Sequence, residues 1–154
     1  MFGVSGYAGP MDDARMPGDG SSGAPVIVVV DVANVMGSRP DGWWKDCAAA
    51  ATKLLALMPG LVSRTVRAPD AENVVVEQVV AVVEGAAKAI TAPAGVVVVR
   101  APKDGDSAIV SAAQRYGDAG ARVLVVTADR GLRARLADGV VVAGPDWLNS
   151  ILGR

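Results

Sequence analysis

The feature that most constrains this chain is a run of five aliphatic residues, 26–30, that leads directly into Asp31. Such a run without polar alternation is typical of a strand buried on both faces, as in a parallel sheet covered by helices. Hydrophobic residues make up 51% of the chain but aromatic residues only 4%, so the core must consist mainly of Val, Ala, Leu and Ile. The run therefore predicts a buried sheet, and it raises the question of why such a strand ends on a carboxylate.

Four further segments repeat this strand pattern, and segments with helical character separate most of them. The predicted strands cover residues 26–31, 74–83, 95–99, 122–126 and 140–142, the second of them bent or bulged. The predicted helices cover residues 43–58, 107–118, 127–136 and the segment from about 145 onward, with Asp41 as N-cap of the first. This alternation predicts an α/β fold with a parallel sheet of about five strands.

The N-terminal segment differs from the rest of the chain. Residues 1–24 are rich in Gly, Ser, Pro and Asp without apolar periodicity, which predicts a disordered tail before a single domain at residues 25–154. No apolar run approaches the roughly 20 residues of a membrane span, and the N terminus lacks the pattern of a secretory signal. We therefore expect a cytoplasmic protein with no membrane partner.

The composition excludes several kinds of catalytic site. The chain contains no histidine and one cysteine, Cys47. This excludes Ser-His-Asp and Cys-His catalysis, His-ligated metals, disulfide frameworks and cysteine-rich zinc sites. A bound metal must then be held by oxygen, which favours Mg²⁺ or Mn²⁺. The formal net charge of −1 argues against binding nucleic acid through bulk charge and leaves local basic patches open.

Carboxylates follow four of the five predicted strands. They are Asp31, Glu84, Asp104 with Asp106, and Asp129. Because the carboxyl ends of parallel strands meet at one edge, where α/β sheets bind ligands, we expect these acids to lie together. Asp106 and Asp129 could each cap a helix and Glu84 could be solvated, whereas no helix is predicted close behind Asp31. Together the acids would repel one another, which favours a hard divalent cation among them.

Three motifs follow the predicted strands in order: DVANVMG after the first, DGDSAIV after the third and VVTADRGLR from the fourth. Across residues 26–152, these motifs and the order of strands and helices resemble the PIN-like nucleases, specifically the NYN branch. The resemblance implies a three-layer PIN-like fold, in which helices flank a parallel sheet of order 3-2-1-4-5. It also implies metal-dependent ribonuclease activity with Mg²⁺ or Mn²⁺ as cofactor.

The resemblance also implies site residues. It places catalytic, metal-binding acids at Asp31, Asp106 and Asp129, and Asn34 at the asparagine of the turn after the first strand. Additional metal ligands would come from two further acids, Asp104 and Glu84. Two positions depart from the family pattern. Val32 stands where relatives usually carry a small residue, which would crowd the backbone beside the metal, and Ser107 stands where a second consecutive acid is often found.

Basic and aromatic residues lie close to these acids in the sequence. The basic residues are either ordinary solvated charges or a ring that positions the phosphates of RNA. Two adjacent tryptophans either pack into the core or, for one of them, stack on a base. The residues assigned to substrate binding are Arg39, Lys45, Lys103, Arg130, Arg133, Trp43 and Trp44.

The leading hypothesis is a metal-dependent nuclease that hydrolyses RNA phosphodiesters. No G-x-G-x-x-G follows the first predicted strand, and G-x-x-x-x-G-K-[ST] does not occur, which removes a Rossmann dinucleotide site and a P-loop. Two alternatives remain open: a catalytically weak PIN-like module that binds RNA or protein, favoured by Val32 and Ser107, and a nucleotide hydrolase that uses the same metal chemistry. A homo-oligomer is compatible with the sequence but not indicated by it.

Overall fold

A computed structural model describes residues 23–154, and this part of the chain contains six strands and five α-helices. The strands are β1 (Ala24–Asp31), β2 (Thr65–Arg67), β3 (Asn73–Val83), β4 (Val96–Arg100), β5 (Val123–Val126) and β6 (Val141–Ala143). The helices are α1 (Val32–Gly37), α2 (Cys47–Ala56), α3 (Gly105–Asp118), α4 (Arg130–Ala134) and α5 (Pro145–Leu152). The tail predicted for residues 1–24 lies outside the described residues up to position 22, and Ala24 already begins β1.

The sheet is mostly parallel and confirms the predicted α/β architecture. Strand β1 pairs with β3 on one side and β5 on the other, and β6 extends the sheet beyond β5. The short β2 and the parallel β4 both pair with β3, at different parts of its length, so that the strand order is β2-β3-β1-β5-β6 with β4 also on β3.

This strand order differs from the predicted order 3-2-1-4-5 of five strands. The difference arises from β2, which is antiparallel and pairs with the first three residues of β3. No strand was predicted for this segment, which is only three residues long and has one buried side chain. The five parallel strands by themselves lie in the order β4-β3-β1-β5-β6.

Helices cover both faces of the sheet. The even-numbered valines of β1 belong to a core cluster with α1, α2 and α5, whereas Ile27 and Val29 belong to a second cluster with α3 and α4. We call these the α2 face and the α3 face. Because side chains alternate along a strand, both faces of β1 are apolar, which explains the uninterrupted aliphatic run in the sequence.

A bulge in β3 decides which face its last side chains reach. The pairing with β1 moves from Val26–Val76 to Ile27–Gln78, so Glu77 is an extra residue. Even-numbered residues of β3 face α2 before this point and odd-numbered residues do so after it. The alternation therefore directs Glu84, just after the strand, to the α3 face. The bent or bulged strand predicted from sequence is confirmed.

The connection between β1 and α2 differs from the prediction. A short helix, α1, follows β1 at once, where a turn was expected. Residues Trp43–Lys45 form a 3-10 turn, and α2 begins only at Cys47, because the N-cap is Asp46 rather than Asp41. Among residues 23–154, none of the helices has the length and apolar character needed to span a bilayer.

Candidate acidic site at the carboxyl edge

Asp31 ends β1 with its side chain buried, at 6% exposure. One carboxylate oxygen, Oδ1, accepts a hydrogen bond from the backbone N–H of Asn34 at 3.3 Å, and the other, Oδ2, accepts one from Thr127 Oγ1 at 3.0 Å. Asp31 is therefore the N-cap of α1, and the expectation that no helix starts close behind it was wrong. Capping uses one oxygen and does not require burial, so it explains only part of this arrangement.

The environment of Asp31 opposes its negative charge. Burial raises the pKa of its carboxyl, and the nearby Asp106 and Glu84 raise the pKa further. The hydrogen bonds from Thr127 and Asn34 act in the opposite direction and lower it. Carboxylates from three separate connections thus lie within reach of one another's charge. A buried acid whose pKa is raised in this way is a common feature of functional sites.

Thr127 is a positioning residue that sequence reasoning did not assign to the site. It is fully buried after β5, and its hydroxyl donates to Asp31 while accepting from the backbone N–H of Asp129 at 3.1 Å. A second link joins the same two connections, because Asn34 Oδ1 accepts from the backbone N–H of Ala128 at 2.7 Å. The available signal was a threonine directly after a buried strand, within the motif VVTADRGLR.

The start of α3 contributes two acids with different roles. Asp104 is the N-cap, with Oδ1 accepting from the backbone N–H of Ser107 at 2.7 Å and Oδ2 from its hydroxyl at 3.3 Å, and these bonds lower the pKa of Asp104. Asp106 lies in the first turn and does not have the capping role considered for it. Partial burial raises the pKa of Asp106, and Asp129 and Asp104 raise it further.

Asp129 and Glu84 complete the group. Asp129 caps α4 by accepting from the backbone N–H of Leu132 at 2.9 Å, which confirms the capping role considered for it. Glu84 lies against the first residue of α3, where a Cβ on Gly105 would overlap with Glu84 Oε2. Gly105 is thus required for the close approach of Glu84 to α3.

One arginine that the sequence analysis did not select lies beside these acids. Arg135 Nη2 donates to Ser107 Oγ at 3.3 Å, and its charge lowers the pKa of Asp104 and of Asp106. Within residues 23–154, the three ion pairs present involve none of the five acids at this edge. The negative charge of the site is therefore only partly balanced.

The predicted substrate-binding residues lie mainly in connections that leave the same edge of the sheet. Lys103, Arg130 and Arg133 are exposed near the acids in sequence, and Arg39 is half-buried. Lys45 is exposed in the 3-10 turn with the two tryptophans.

The tryptophan pair divides between the core and the solvent. Trp43 packs against the core of the α2 face, whereas Trp44 is 56% exposed. Their ring centroids lie 5.9 Å apart in a T-shaped arrangement. The alternative that both rings pack into the core is therefore wrong, and base stacking stays a prediction.

Val32 does not crowd the acids. Its side chain is fully buried in the core of the α2 face. Because Asp31 follows Ile27 and Val29 in the alternation of β1, its carboxylate lies on the α3 face instead. The Val32 side chain and the Asp31 carboxylate thus lie on opposite faces of the sheet, and crowding of the backbone beside a metal stays a prediction.

The donor chemistry of the site suits a hard divalent cation, since all five side chains offer carboxylate oxygens. Across residues 23–154, no three acidic or cysteine side chains already surround a common point in the way a bound metal requires. The ligands predicted from sequence are thus close enough for their charges to repel one another, but they do not form a complete set of metal ligands.

The fold has a solved counterpart. The crystal structure of a mutant of Rae1 (YacP) from Bacillus subtilis is similar, with a TM-score of 0.60 over 82% of this chain and 74% of that chain. The sequence identity is 17%, so the likeness concerns the fold alone. No family model matches this chain. No curated protein matches it either.

Proposed function

We propose that this chain is a PIN-like domain of the NYN type that hydrolyses RNA phosphodiesters with Mg²⁺ or Mn²⁺. Asp31, Asp106 and Asp129 would hold the cation, with Asp104 and Glu84 as additional ligands. The observation that carries the proposal is Asp31, a buried acid that faces other acids and has no ion-pair partner among residues 23–154. A buried, unpaired carboxylate is destabilising, so its presence favours a ligand that uses its charge.

A bound divalent cation would lower the pKa of a water and offset charge on the phosphate during an in-line displacement. The protein's own contribution is to hold the donors still. Thr127 and the start of α1 each fix one oxygen of Asp31. Asn34 uses its carbonyl oxygen to hold the β5 connection, which leaves its side-chain NH₂ group to donate to a phosphate oxygen.

The proposed partner is RNA because exposed cations and an exposed aromatic ring lie in the connections at this edge. Such groups position phosphates and stack on bases without requiring a particular sequence. The residues that we assign to substrate contact are Arg39, Lys45, Lys103, Arg130, Arg133, Trp43 and Trp44.

A second candidate is a binding module with little catalytic activity. Ser107 supports it, because the serine is bonded to Asp104 and Arg135 and supplies no carboxylate. Such a module would bind RNA or protein and would not cleave. The third alternative, a nucleotide hydrolase, would act on mononucleotides and leave polymers intact.

The test is RNA cleavage by the purified full chain, with and without Mn²⁺, on single-stranded and structured substrates. We expect Mn²⁺-dependent cleavage that falls by at least about 100-fold in Asp31→Asn, since the change keeps the shape and removes the charge. Asp70→Asn, at the opposite edge of the sheet, is the matched control and should cleave normally. If the wild type cleaves no RNA with Mn²⁺, the nuclease proposal is rejected; retained RNA binding would then favour the second candidate.

A further inference from the structure

Two hollows in the described surface differ in the charges that surround them. The larger, of about 560 Å³, lies between α3 and the connection from α4 to β6. The smaller, of about 340 Å³, lies between the turn at residues 41–46, α2 and Arg154. We call them the α3 hollow and the tryptophan hollow, because Trp43 lines the second. Both have a size that suits a small ligand or one unit of a polymer.

The α3 hollow offers little to a polyanion. Arg135 lies at one end, next to Ser107 of the acidic site. The other end contains Asp118 and Arg122, and Arg122 is already ion-paired with Asp70 and Glu72. Negative charge is thus in excess at the far end, which would repel the phosphates of a nucleic acid strand.

The tryptophan hollow differs in that, among residues 23–154, two of its cations have no acidic partner. Lys45, Lys53 and Arg154 line it together with two acids, Asp41 and Asp46. Asp46 is used as the N-cap of α2, and Asp41 pairs with Arg154 at 3.6 Å. Within residues 23–154, Lys45 and Lys53 take part in no ion pair, so both remain available to an anion.

Additional positive charge lies beside the same hollow. Burial lowers the pKa of Arg154, and the nearby charge of Arg39 lowers it further. Two guanidinium groups that repel each other in this way are both stabilised when an anion binds between them. Arg154 is also held in place, because its Nη1 donates to Asn149 Oδ1 at 2.8 Å.

The hollow also has a fixed aromatic wall. Trp43 is half-buried against the core, and the edge-to-face contact with Trp44 restrains it further. A base can stack on an indole ring whatever the nucleotide sequence, and a restrained ring loses little conformational entropy on binding. The aromatic wall and the cations together match the base and the phosphate of a nucleotide.

Helix α1 connects this hollow to the acidic site. Asp31 caps its first turn, and Met36 near its end lines the hollow, so the two sites are separated by a six-residue helix of about 9 Å. We propose that the tryptophan hollow is a nucleotide subsite for single-stranded RNA, with Trp43 stacked on a base and Lys45, Lys53 and Arg154 holding the adjacent phosphate. The strand then leaves the acidic site along α1 and not along α3. This inference rests on the proposed action on RNA.

The experiment measures binding of a fluorescent single-stranded oligoadenylate to the full chain in EDTA, so that cleavage does not interfere. Lys45→Glu with Lys53→Glu should weaken binding at least tenfold at low salt. Loss of the contact with this phosphate should also reduce the slope of log K against log salt by about 0.7. Arg67→Glu with Arg115→Glu is the matched control, since it makes the same charge change at exposed positions elsewhere and should leave the slope unchanged.

A second measurement locates the bound strand on the protein. Photocrosslinking of a 5-iodouridine-labelled strand should modify Trp43, and Trp43→Phe should retain most of the affinity because it keeps an aromatic face. Equal weakening by both double variants, a crosslink in the α3 hollow, or no binding by the wild type would overturn the subsite.

The failures of the two proposals can be told apart. A wild type that crosslinks at Trp43 but does not cleave with Mn²⁺ rejects the nuclease and supports the subsite. A wild type that cleaves, beside a Lys45/Lys53 double variant that binds and cleaves equally well, rejects the subsite and supports the nuclease.

Discussion

The two edges of the sheet treat the same residue type in opposite ways. At the amino edge, Asp70 and Glu72 share one cation, Arg122, with N···O distances of 3.2 and 2.9 Å. At the carboxyl edge, five acids lie in or beside the connections that follow the strands, and within residues 23–154 none of them takes part in an ion pair. Acids that serve only the fold are expected to be solvated or paired, so the difference supports the proposed role of the carboxyl edge.

Burial makes the contrast sharper. The amino-edge acids keep 40% and 60% of their side chains exposed, so water screens their charge and the pairs contribute little stability. Asp31 is almost fully buried, and its carboxylate is repelled by Asp106 and Glu84. The buried carboxylate of Asp31 therefore lowers the stability of the fold, as is common where a protein binds a ligand.

The largest expected difference between the edges is the response to metal. A cation that binds only the folded state stabilises it by about 2.7 kcal/mol at a concentration of 100 Kd. Mn²⁺ should therefore raise the melting temperature of the wild type by on the order of 10 °C. Asp70→Asn should respond equally, and Asp31→Asn should not respond. Equal shifts in all three proteins would show that the cation binds without using the acidic edge.

The next effect concerns the residue that holds Asp31. Thr127→Val keeps the shape but removes the hydroxyl. Asp31 Oδ2 and the backbone N–H of Asp129 then each lose their hydrogen bond to this hydroxyl. We expect a loss of about 2–3 kcal/mol in the free energy of unfolding by urea, because the bond involves a buried charged acceptor. Thr65→Val, an exposed threonine near the amino edge, should change it by less than about 0.5 kcal/mol.

A serine control separates the hydroxyl from side-chain shape. Thr127→Ser retains the hydroxyl and should recover most of the stability and of the Mn²⁺ response. If Thr127→Val were as stable as the wild type, the hydrogen bond to Asp31 would contribute nothing, and the rigid placement of Asp31 would need another cause.

A smaller effect is a pH dependence with opposite signs at two acids of the same edge. Because the pKa of folded Asp31 is raised above 3.8, its stabilising contribution is complete below that value and is lost as pH rises through the folded pKa. The wild type should therefore lose stability relative to Asp31→Asn on going from acid to neutral pH. The pKa of Asp104 is lowered, so the wild type should lose stability relative to Asp104→Asn as pH falls through the folded pKa of Asp104.

Urea unfolding of the three proteins over a pH series measures both differences. Groups that titrate equally in wild type and variant contribute nothing to the difference in stability between them. The direction in which this difference changes with pH therefore reports on the substituted acid alone. The same sign for Asp31 and Asp104 would contradict the contrast between a carboxylate opposed by burial and one stabilised by the bonds from Ser107.

The sequence predicted the architecture well because apolar strands alternate with helical segments along most of the domain. The bulge in β3 was predicted, but its consequence was not. One extra residue, Glu77, directs Glu84 toward the α3 face, and this follows only from pairing with β1. Strand β2 was missed because its pairing with β3, and not its three residues, makes it a strand.

The candidate site was predictable in part. The position of each acid after a strand was sufficient to bring the five acids to one edge. Their individual surroundings were not, because these depend on contacts between distant segments. Thr127 reaches Asp31 across 96 residues, and Arg135 reaches Ser107 across 28. Asp31 as the cap of α1 was missed because α1 is too short to give a periodic pattern.

The smallest expected effect lies at the amino edge. Arg122→Ala removes both ion pairs with Asp70 and Glu72, which join the connection before β5 to the turn between β2 and β3. Because these side chains are partly exposed, we expect a loss of at most about 1 kcal/mol in urea unfolding, and a smaller loss in high salt. The Mn²⁺ response should not change, because Arg122 lies at the opposite edge from the acids. A loss of several kcal/mol, or a weaker Mn²⁺ response, would show that the two edges are coupled and that charge compensation does not distinguish a structural edge from a functional one.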